Sequence, residues 1–433
     1  MLVATRPPHG HLVAQRSELL RGFAFCTGIE NSNPTTSDGK GGTLRRDQLA
    51  ECGFYANWRR DFDLVQEQGL HWLRYGPSLH TTWLAPGVYD WSFADETMAD
   101  LKRRGIEPIV DLCHFGVPDW IGDFQNRDFP AYFGEYAKAF ARRFPWVRYY
   151  TPVNEVGLCA VFSGRYGFWN ERLESHQGYV GALRNLSRAS VEAMHGILDV
   201  RPDAVFLLSE DTHRIHPECP QSIAAADHAN SERFLPFDFA FGEPVDASMR
   251  AWLLEHGMSH DDLGFFEAKG FRHRRHCIVG IDYYATSERY AKPCGERYGS
   301  GSVSGLYDIV REYHARYPDR PLFHSETNSN GTDSDGVAWL KGQWIAILRL
   351  IREGVPVVGF THYSICDQMD WDTAMREKRN KVSPVGLYDL NRTIRPAGEA
   401  FRNIVSVWAP SLEQDADVVT CRYGDVPQAR PHP

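Results

Sequence analysis

A short β-rich run followed by a longer amphipathic stretch recurs along the chain, and this repeat restricts the fold more than any other feature. The runs are LLRGFAFC (19–26), HWLRYG (71–76), EPIVDLCH (107–114), VRYYTPVN (147–154), AVFLLSE (204–210), CIVGIDYY (277–284), PLFHSET (321–327) and VPVVGFTHYSI (355–365). Strands alternating with helices in this number predict a single-domain (β/α)8 TIM barrel of the α/β class, with loop insertions. An open doubly wound sheet is the alternative, but the stretch after Phe25 lacks a GxGxxG turn.

The stretches between these runs carry helix signals. The segment from Ser92 to Gly105 starts with a candidate N-cap serine and ends on a glycine suited to a C-cap. Comparable amphipathic stretches precede the second, fourth and eighth runs. We therefore expect an N-terminal extension at 1–18, a catalytic barrel at 19–408 and a C-terminal tail at 409–433.

The net charge, the apolar runs and the cysteine spacing indicate which partners and which cellular compartment to expect. The formal net charge of −9 mixes both signs, so neither nucleic acid nor a membrane surface is a predicted partner. The sequence has no apolar run long enough for a membrane span and no signal-peptide core at its start. None of the 9 cysteines forms a CxxC pair, which favours reduced thiols in a cytoplasmic protein over a disulfide or zinc framework.

Polar residues collect at the ends of the predicted strands. They are Arg74, Asp111, His114, Asn154, Glu155, Glu210, Asp282, Tyr283, Tyr284, Glu326, Asn328, Tyr363 and Asp367. In a barrel of this type, the carboxyl ends of the strands carry the active site. Any one of these residues could instead cap a helix, start a loop or form a structural ion pair. The set as a whole is unusual, because charged groups are rarely buried without a function or a partner.

Glu155 and Glu326 end the fourth and seventh strands, which lie on opposite sides of an eight-stranded barrel. Two carboxylates that face one another across a pocket suit the hydrolysis of a glycoside. One must be protonated to assist the leaving oxygen, and the other must be ionised to attack the sugar carbon. A separation of about 5–5.5 Å between them would predict a retaining mechanism.

Specific motifs strengthen this interpretation. TPVNEV resembles the T-x-N-E-P motif of glycoside hydrolase family 1, and HSETN resembles that family's I/V-T-E-N-G motif. Further segments resemble the family in the same order along the chain: WRRDFDLVQEQGLHWLRYG, GIEPIVDLCHFGVPDWI, GIDYYATS, GFTHYSICDQMDW and PVGLYDLNRTIRPAGEAF. Each match is short, but together they extend from about residue 20 to about residue 405. The chain is similar to a divergent member of that family.

The resemblance implies roles for five residues. Glu155 would be the acid/base and Glu326 the nucleophile. Asn154 would hydrogen-bond the sugar 2-hydroxyl, a contact that strengthens in the transition state. Arg74 and Tyr284 would hold Glu326 ionised, because a cation and a hydroxyl donor favour a charged carboxylate. The charge on Glu326 would in turn raise the pKa of Glu155.

The resemblance also implies a sugar-binding set: Glu30, His114, Asp282, Tyr363, Asp370 and Trp371. Four of these positions depart from the family pattern, with Glu30 in place of glutamine, Asp282 of asparagine, Tyr363 of tryptophan and Asp370 of glutamate. Val156 replaces the usual proline after the acid/base. The substrate implied is a small β-glycoside, with no cofactor and no metal, and these departures leave the preferred sugar open.

Other interpretations stay open at this point. The fold could serve a non-catalytic sugar-binding protein or a transglycosylase, although a pure binder has no use for two repelling carboxylates. A metal-dependent hydrolase built on Asp111, His114 and Glu210 is less favoured, because these residues form no local metal motif. The aromatic segment 163–173 predicts either an aglycone platform or loop packing. The sequence leaves homo-oligomerisation undecided.

Overall fold

The barrel predicted from the sequence forms. The computed structural model of the chain describes residues 19–412 except 21, 273–275, 295–296 and 300–304. Its barrel strands are β1 Ala24–Gly28, β2 Trp72–Tyr75, β3 Glu107–Asp111, β4 Tyr149–Thr151, β5 Val205–Asp211, β6 Cys277–Asp282, β7 Leu322–Glu326 and β8 Val357–His362. Each strand pairs in parallel with its chain neighbours, and β1 closes the barrel against β8. The (β/α)8 prediction is confirmed, and the doubly wound sheet is not what forms.

Helices connect the strands and cover the barrel. They are Gln48–Glu51, Phe54–Glu67, Leu79–Thr82, Ser92–Arg104, Phe129–Arg143, Val156–Ala160, His176–Leu198, Ile223–Glu232, Leu235–Phe241, Ala247–Glu255, His260–Lys269, Leu306–Arg316, Asp333–Arg352 and Pro396–Leu412. Short two-stranded sheets lie in the loops. They pair Thr35–Ser37 with Thr43–Arg45, Trp83–Ala85 with Val88–Tyr89, and Gln368–Met369 with Val382–Ser383. A further small sheet joins Arg214–Pro217, Glu288–Ala291 and Arg297–Gly299.

One predicted helix start is wrong in detail. Ser92 is the first helical residue, and Trp91 occupies the N-cap position. The Ser92 backbone N–H and hydroxyl both donate to Asp90 Oδ1, at 2.9 and 2.6 Å. The carboxylate of Asp90 therefore does the work that the sequence pattern assigned to the serine. Gly105 does cap the other end, with a φ of 69°.

Apolar side chains fill the amino-terminal half of the barrel interior. They are contributed by all eight strands and include Cys26, Trp72, Ile109, Tyr149, Leu207, Ile278, Phe323 and Val358. Gly359 illustrates how tightly they pack, because a Cβ atom there would lie 2.2 Å from the Phe323 ring. Because apolar side chains fill the amino-terminal half of the barrel, the polar strand ends meet at the carboxyl-terminal rim.

The last helix extends past the predicted C-terminal boundary of the barrel. The last helix continues to Leu412, whose carbonyl accepts the Phe23 N–H at 2.9 Å, so four residues of the predicted tail belong to the helix. The extension at 1–18 and the rest of the tail lie outside the described residues. Among the helices that the structure describes, none has the length and hydropathy needed to cross a bilayer. The eight cysteines described are free thiols.

Candidate active site

A cavity of about 390 Å³ opens at the carboxyl-terminal rim of the barrel. Six predicted site residues line it: Glu30, His114, Glu155, Tyr284, Glu326 and Trp371. The other five predicted residues lie behind this wall and are fully buried: Arg74, Asn154, Asp282, Tyr363 and Asp370. The lining also includes Phe115, Leu158, Phe162, Asp211, Arg289, Asn328, Gln368, Asp372 and Arg376.

Backbone geometry aims Glu155 into the cavity. Its strand ends at Thr151, and the chain then continues between its neighbours, with the Glu155 N–H donating to the Ser209 carbonyl at 2.8 Å. Glu155 has a φ of 44°, in the left-handed region that a non-glycine residue seldom occupies. The helix Val156–Ala160 begins immediately afterwards. A strained residue at a strand end is typical of a functional site.

Glu326 is held from two sides at the end of β7. Arg74 Nη1 donates to its Oε1, and the Tyr284 hydroxyl donates to its Oε2 at 2.7 Å. Burial and the charge of Glu326 raise the pKa of Tyr284 well above its ordinary value, so this hydroxyl stays a donor. The structure thus brings together three residues from β2, β7 and the segment after β6.

The two glutamates differ in environment although they are close. Oxygens of Glu155, Asp282 and Glu326 lie within 4.8 Å of one another. Burial, followed by the charges of Glu326 and Asp282, raises the pKa of Glu155 well above its ordinary value. Glu326 has the Arg74 cation beside it, whereas Glu155 makes no ion pair with any residue that the structure describes. The two carboxyl groups therefore differ in their surroundings: Glu326 accepts bonds from a cation and a hydroxyl, whereas burial and neighbouring carboxylates raise the pKa of Glu155.

A buried network links Glu326 to the sugar-binding candidates. Arg74 Nη2 donates to Asn154 Oδ1 at 2.7 Å, and Asn154 Nδ2 lies 3.1 Å from His114 Nε2. The other ring nitrogen of His114 lies 2.8 Å from Asp111 Oδ2. Burial opposes the charged imidazole, but the carboxylates of Asp111 and Glu30 outweigh it and raise the pKa of His114. Asp111 thereby orients a ring that faces the cavity.

Sequence reasoning missed Gln368, which lines the cavity next to Glu30. Gln368 Nε2 donates to Glu30 Oε2 at 3.0 Å, and Glu30 Oε1 accepts the Ser32 N–H at 3.0 Å. Burial raises the pKa of Glu30 above its ordinary value. Glu30 therefore occupies the place predicted for it, but with an amide partner that comes from the opposite end of the chain. The one signal for Gln368 in the sequence is that it lies within GFTHYSICDQMDW, a segment that resembles the family.

Asp370, predicted to contact the sugar, does not line the cavity in the structure. Its side chain is completely buried and pairs with Arg46 Nη2 at 2.9 Å. Its oxygens also accept the N–H groups of Arg379, Asn380 and Lys381, at 3.0, 3.1 and 2.7 Å. With both oxygens engaged in this way, Asp370 anchors the loop that follows it and presents nothing to the cavity.

Tyr363 and Asp282 also lie beneath the cavity wall, so the structure does not support direct sugar contact by either. The Tyr363 ring packs near His114 and under Arg74, and its hydroxyl donates to the Ile29 carbonyl at 3.3 Å. Asp282 accepts hydrogen bonds from the hydroxyls of Ser209 and Ser325, at 2.7 and 2.6 Å. Tyr363 therefore lies behind His114, and Asp282 lies behind Glu155 and Glu326, all of which line the cavity.

Of the aromatic segment at 163–173, Phe168 and Trp169 pack against the loop that follows β8. Trp169 is fully buried, and its Nε1 donates to the Ala374 carbonyl at 2.7 Å. Phe168 lies under the Arg376 guanidinium, 4.3 Å from ring centre to Cζ. Tyr166 lines a small neighbouring pocket. The aromatic surface of the cavity itself comes from Phe115, Phe162 and Trp371.

The structure does not assemble the metal site considered from the sequence. The Glu210 carboxylate accepts backbone N–H groups of Val156 and Gly157, and Asp111 bonds His114. Among the described residues, the one acidic cluster with metal-ligand spacing is Glu155, Asp282 and Glu326. The hydrolase based on Asp111, His114 and Glu210 is therefore not supported.

Comparison with known proteins decides the family. The glycosyl hydrolase family 1 model matches residues 45–248. A 6-phospho-beta-galactosidase of Leptotrichia buccalis is 33% identical over 75% of this chain and 82% of its own. The chain belongs to glycosyl hydrolase family 1. A 6-phospho-beta-glucosidase of Clostridium longisporum is 22% identical over 85% of this chain and 88% of its own.

Solved structures agree on the fold. A beta-glucosidase of Thermotoga maritima, in complex with glucoimidazole, superposes with a TM-score of 0.75 at 17% identity. The match covers 93% of this chain and 99% of that one. The family 1 chain is thus a glycoside hydrolase of the retaining β-glycosidase type, as its sequence predicted, and the comparisons lend no support to a non-catalytic sugar-binding protein.

Proposed function

We propose that this family 1 enzyme hydrolyses a small β-glycoside, with Glu326 as the nucleophile and Glu155 as the acid/base. The observation that carries the proposal is the close approach of these two carboxyl groups in different environments. Their oxygens lie within 4.8 Å, near the spacing of retaining enzymes and well below that of inverting ones. Arg74 and Tyr284 stabilise charge on Glu326, whereas burial and neighbouring carboxylates favour a proton on Glu155.

In the first step, a carboxylate oxygen of Glu326 attacks the anomeric carbon. The bond from this carbon to the aglycone oxygen breaks as Glu155 gives its proton to that oxygen. The products are a glycosyl ester on Glu326, a free aglycone alcohol and ionised Glu155. Because Glu326 no longer carries a negative charge, the pKa of Glu155 falls and its role changes to that of a base.

In the second step, Glu155 takes a proton from a water molecule as the water oxygen attacks the anomeric carbon. The ester bond breaks, and Glu326 leaves as a carboxylate that Arg74 and Tyr284 again stabilise. The net reaction consumes one water and retains the configuration of the anomeric carbon. Asn154, which lies behind the cavity wall between Arg74 and His114, would reach the sugar hydroxyl next to that carbon only after a shift of its amide, and otherwise acts through His114.

The leaving group is expected to lie against Leu158 and Phe162. Both residues follow Glu155 on the same helical segment, and both line the cavity. Because Glu155 protonates the leaving oxygen, the attached group must lie on this side of the pocket. The apolar and aromatic wall there supports an aglycone with apolar character.

Charge supports an unphosphorylated sugar, although several similar relatives are named as 6-phospho enzymes. The carboxylates among the described lining residues are Glu30, Glu155, Asp211, Glu326 and Asp372, against the cations Arg289 and Arg376. Nearby Arg379 and Lys381 already donate to Asp372, at 2.6 and 2.7 Å. A sugar phosphate would therefore have to compete with Asp372 for the charges of Arg379 and Lys381.

A panel of 4-nitrophenyl β-glycosides that differ only in the sugar tests the substrate. It should include glucoside, galactoside, fucoside and the 6-phosphates of the first two. We expect kcat/KM to be higher for an unphosphorylated member than for either phosphate. A clear preference for a 6-phosphate would overturn the choice of sugar while leaving the catalytic pair in place.

Paired substitutions test the catalytic roles. We expect Glu326→Gln to lower kcat by about 10⁴-fold or more without unfolding the protein. Glu155→Gln should do so for poor leaving groups and spare the first step for 2,4-dinitrophenyl glycosides. The surface variant Glu353→Gln, at the end of helix Asp333–Arg352, is the matched control for loss of a carboxylate. Wild-type turnover by Glu326→Gln would contradict the mechanism.

We also propose a cytoplasmic location, which the cysteine pattern predicts, and self-association stays a prediction without a surface assigned to it. Cell fractionation would test the first, and sedimentation velocity would test the second.

A further inference from the structure

The mechanism leaves Glu210 unused, although it is buried beside the acid/base. It lies near the end of β5 and is 4% exposed. Its Oε1 accepts the Val156 N–H and its Oε2 accepts the Gly157 N–H, both at 3.0 Å. These are the two residues that follow Glu155. Both oxygens of Glu210 therefore contact the backbone that carries the acid/base.

This contact meets a structural need. The first N–H groups of a helix have no partner within the helix, and Val156–Ala160 is too short to have much stability of its own. Glu155 occupies its N-cap position without a side-chain capping bond, in a left-handed conformation. Because Ser209 accepts the Glu155 N–H at 2.8 Å, β5 binds three successive amides, those of residues 155, 156 and 157.

The contact depends on a residue at which this chain departs from its family. Val156 occupies the position of the proline in the T-x-N-E-P motif that TPVNEV resembles, and proline has no N–H to donate. The bond to Glu210 Oε1 can therefore exist here only because position 156 is not proline. Burial raises the pKa of Glu210 well above its ordinary value, while the two N–H donors oppose that effect. In this chain, a side-chain clamp takes over the ordering that proline's fixed φ supplies to a turn.

We propose that Glu210 is a positioning residue, which fixes the backbone at Val156 and Gly157 so that Glu155 reaches the leaving oxygen. The inference rests on the proposed role of Glu155 as the acid/base. It predicts that loss of the clamp impairs proton donation and spares attack by Glu326, because Glu326 is held independently by Arg74 and Tyr284.

The test measures kcat/KM, which reports the first step alone, for two glycosides of the same sugar. One carries the good leaving group 2,4-dinitrophenol and needs little protonation, whereas the other carries phenol and needs Glu155. Glu210→Gln keeps one acceptor oxygen and turns the other into an amide group that cannot accept an N–H. We expect roughly 10-fold or greater loss for the phenyl glycoside and less than about 2-fold for the dinitrophenyl glycoside.

Two substitutions at Val156 provide a matched pair. Val156→Pro removes the N–H and should reproduce the selective loss, whereas Val156→Ala keeps the N–H and should resemble wild type. The double variant Val156→Pro/Glu210→Gln should lose less than the product of the two single losses, because both remove the same bond. These variants keep the test decisive if Glu210→Gln does not fold.

Equal losses on both glycosides, or no loss on either, would overturn the clamp as a positioning device. These outcomes differ from a failure of the proposed function, which would appear as wild-type protein inactive on both glycosides or as full activity in Glu326→Gln.

Discussion

Three carboxyl groups share the floor of the active site, and their charges explain how Glu155 keeps a proton. Glu155, Asp282 and Glu326 approach within 4.8 Å in a buried site, where Arg74 bonds Glu326 directly. Like charges at this distance repel strongly, so the pKa of Glu155 and that of Asp282 are both raised, whereas Glu326 has the Arg74 cation beside it. Asp282, at the position where the resembled motif has asparagine, contributes to the raised pKa of Glu155 from behind the cavity wall.

Replacing Asp282 tests its electrostatic role. Asp282→Asn removes a negative charge that raises the pKa of Glu155, so this pKa should fall. Activity needs protonated Glu155 and is lost as pH rises through that pKa. The alkaline limb of the kcat/KM–pH profile should therefore move to lower pH, and the control Glu353→Gln should leave it in place. An alkaline limb that does not move in Asp282→Asn would show that Asp282 carries no charge in the working pH range.

Among the structural elements, the loop after β8 shapes the cavity through one buried anchor. Asp370 pairs with Arg46 and accepts three backbone N–H groups from residues 379–381. The neighbouring residue Trp371 lines the cavity. Because the hydrogen bonds of Asp370 fix this loop, Trp371 is held at the wall of the cavity.

Breaking this anchor should destabilise the protein. Asp370→Asn leaves the buried Arg46 paired with Glu51 alone, and we expect a loss of about 1–3 kcal/mol in the free energy of unfolding, measured by urea titration. Asp372→Asn is the matched control, because Asp372 pairs with the exposed Arg379 and Lys381 and should change stability little. Similar stability of the two variants would contradict the anchor.

At the scale of the whole molecule, the barrel brings together groups that are distant along the chain. Arg74 on β2 contacts Glu326 on β7, and Glu30 after β1 contacts Gln368 after β8. The packed amino-terminal half of the barrel fixes the strand positions, so the site depends on global folding. Activity therefore requires the folded barrel, and a pH that lowers the free energy of unfolding also limits activity.

One buried carboxyl group outside the site should limit stability at alkaline pH. Burial raises the pKa of Glu171 to about 7, and its Oε2 lacks a hydrogen-bond partner in the structure described. The ionised form is disfavoured in the folded state, so the penalty is absent below the ordinary pKa of 4.5, grows as pH rises to about 7, and is constant above that. Glu171→Gln should raise stability at pH 8 by up to about 3 kcal/mol and change it little at about pH 4. An equal effect at both pH values, measured by denaturant titration, would contradict this origin.

The sequence by itself determined the order of strands and helices and the glutamates at the two decisive strand ends. These follow from local periodicity, and a closed parallel barrel leaves one place where strand ends can meet. Tertiary structure decided the rest. Gln368 lies beside Glu30, Asp370 is an anchor, Trp169 packs against the loop after β8, and Glu210 bonds the turn that carries Glu155. Several of these contacts join segments that are 54 to 338 residues apart, and no local pattern records which polar atoms such packing leaves to be satisfied.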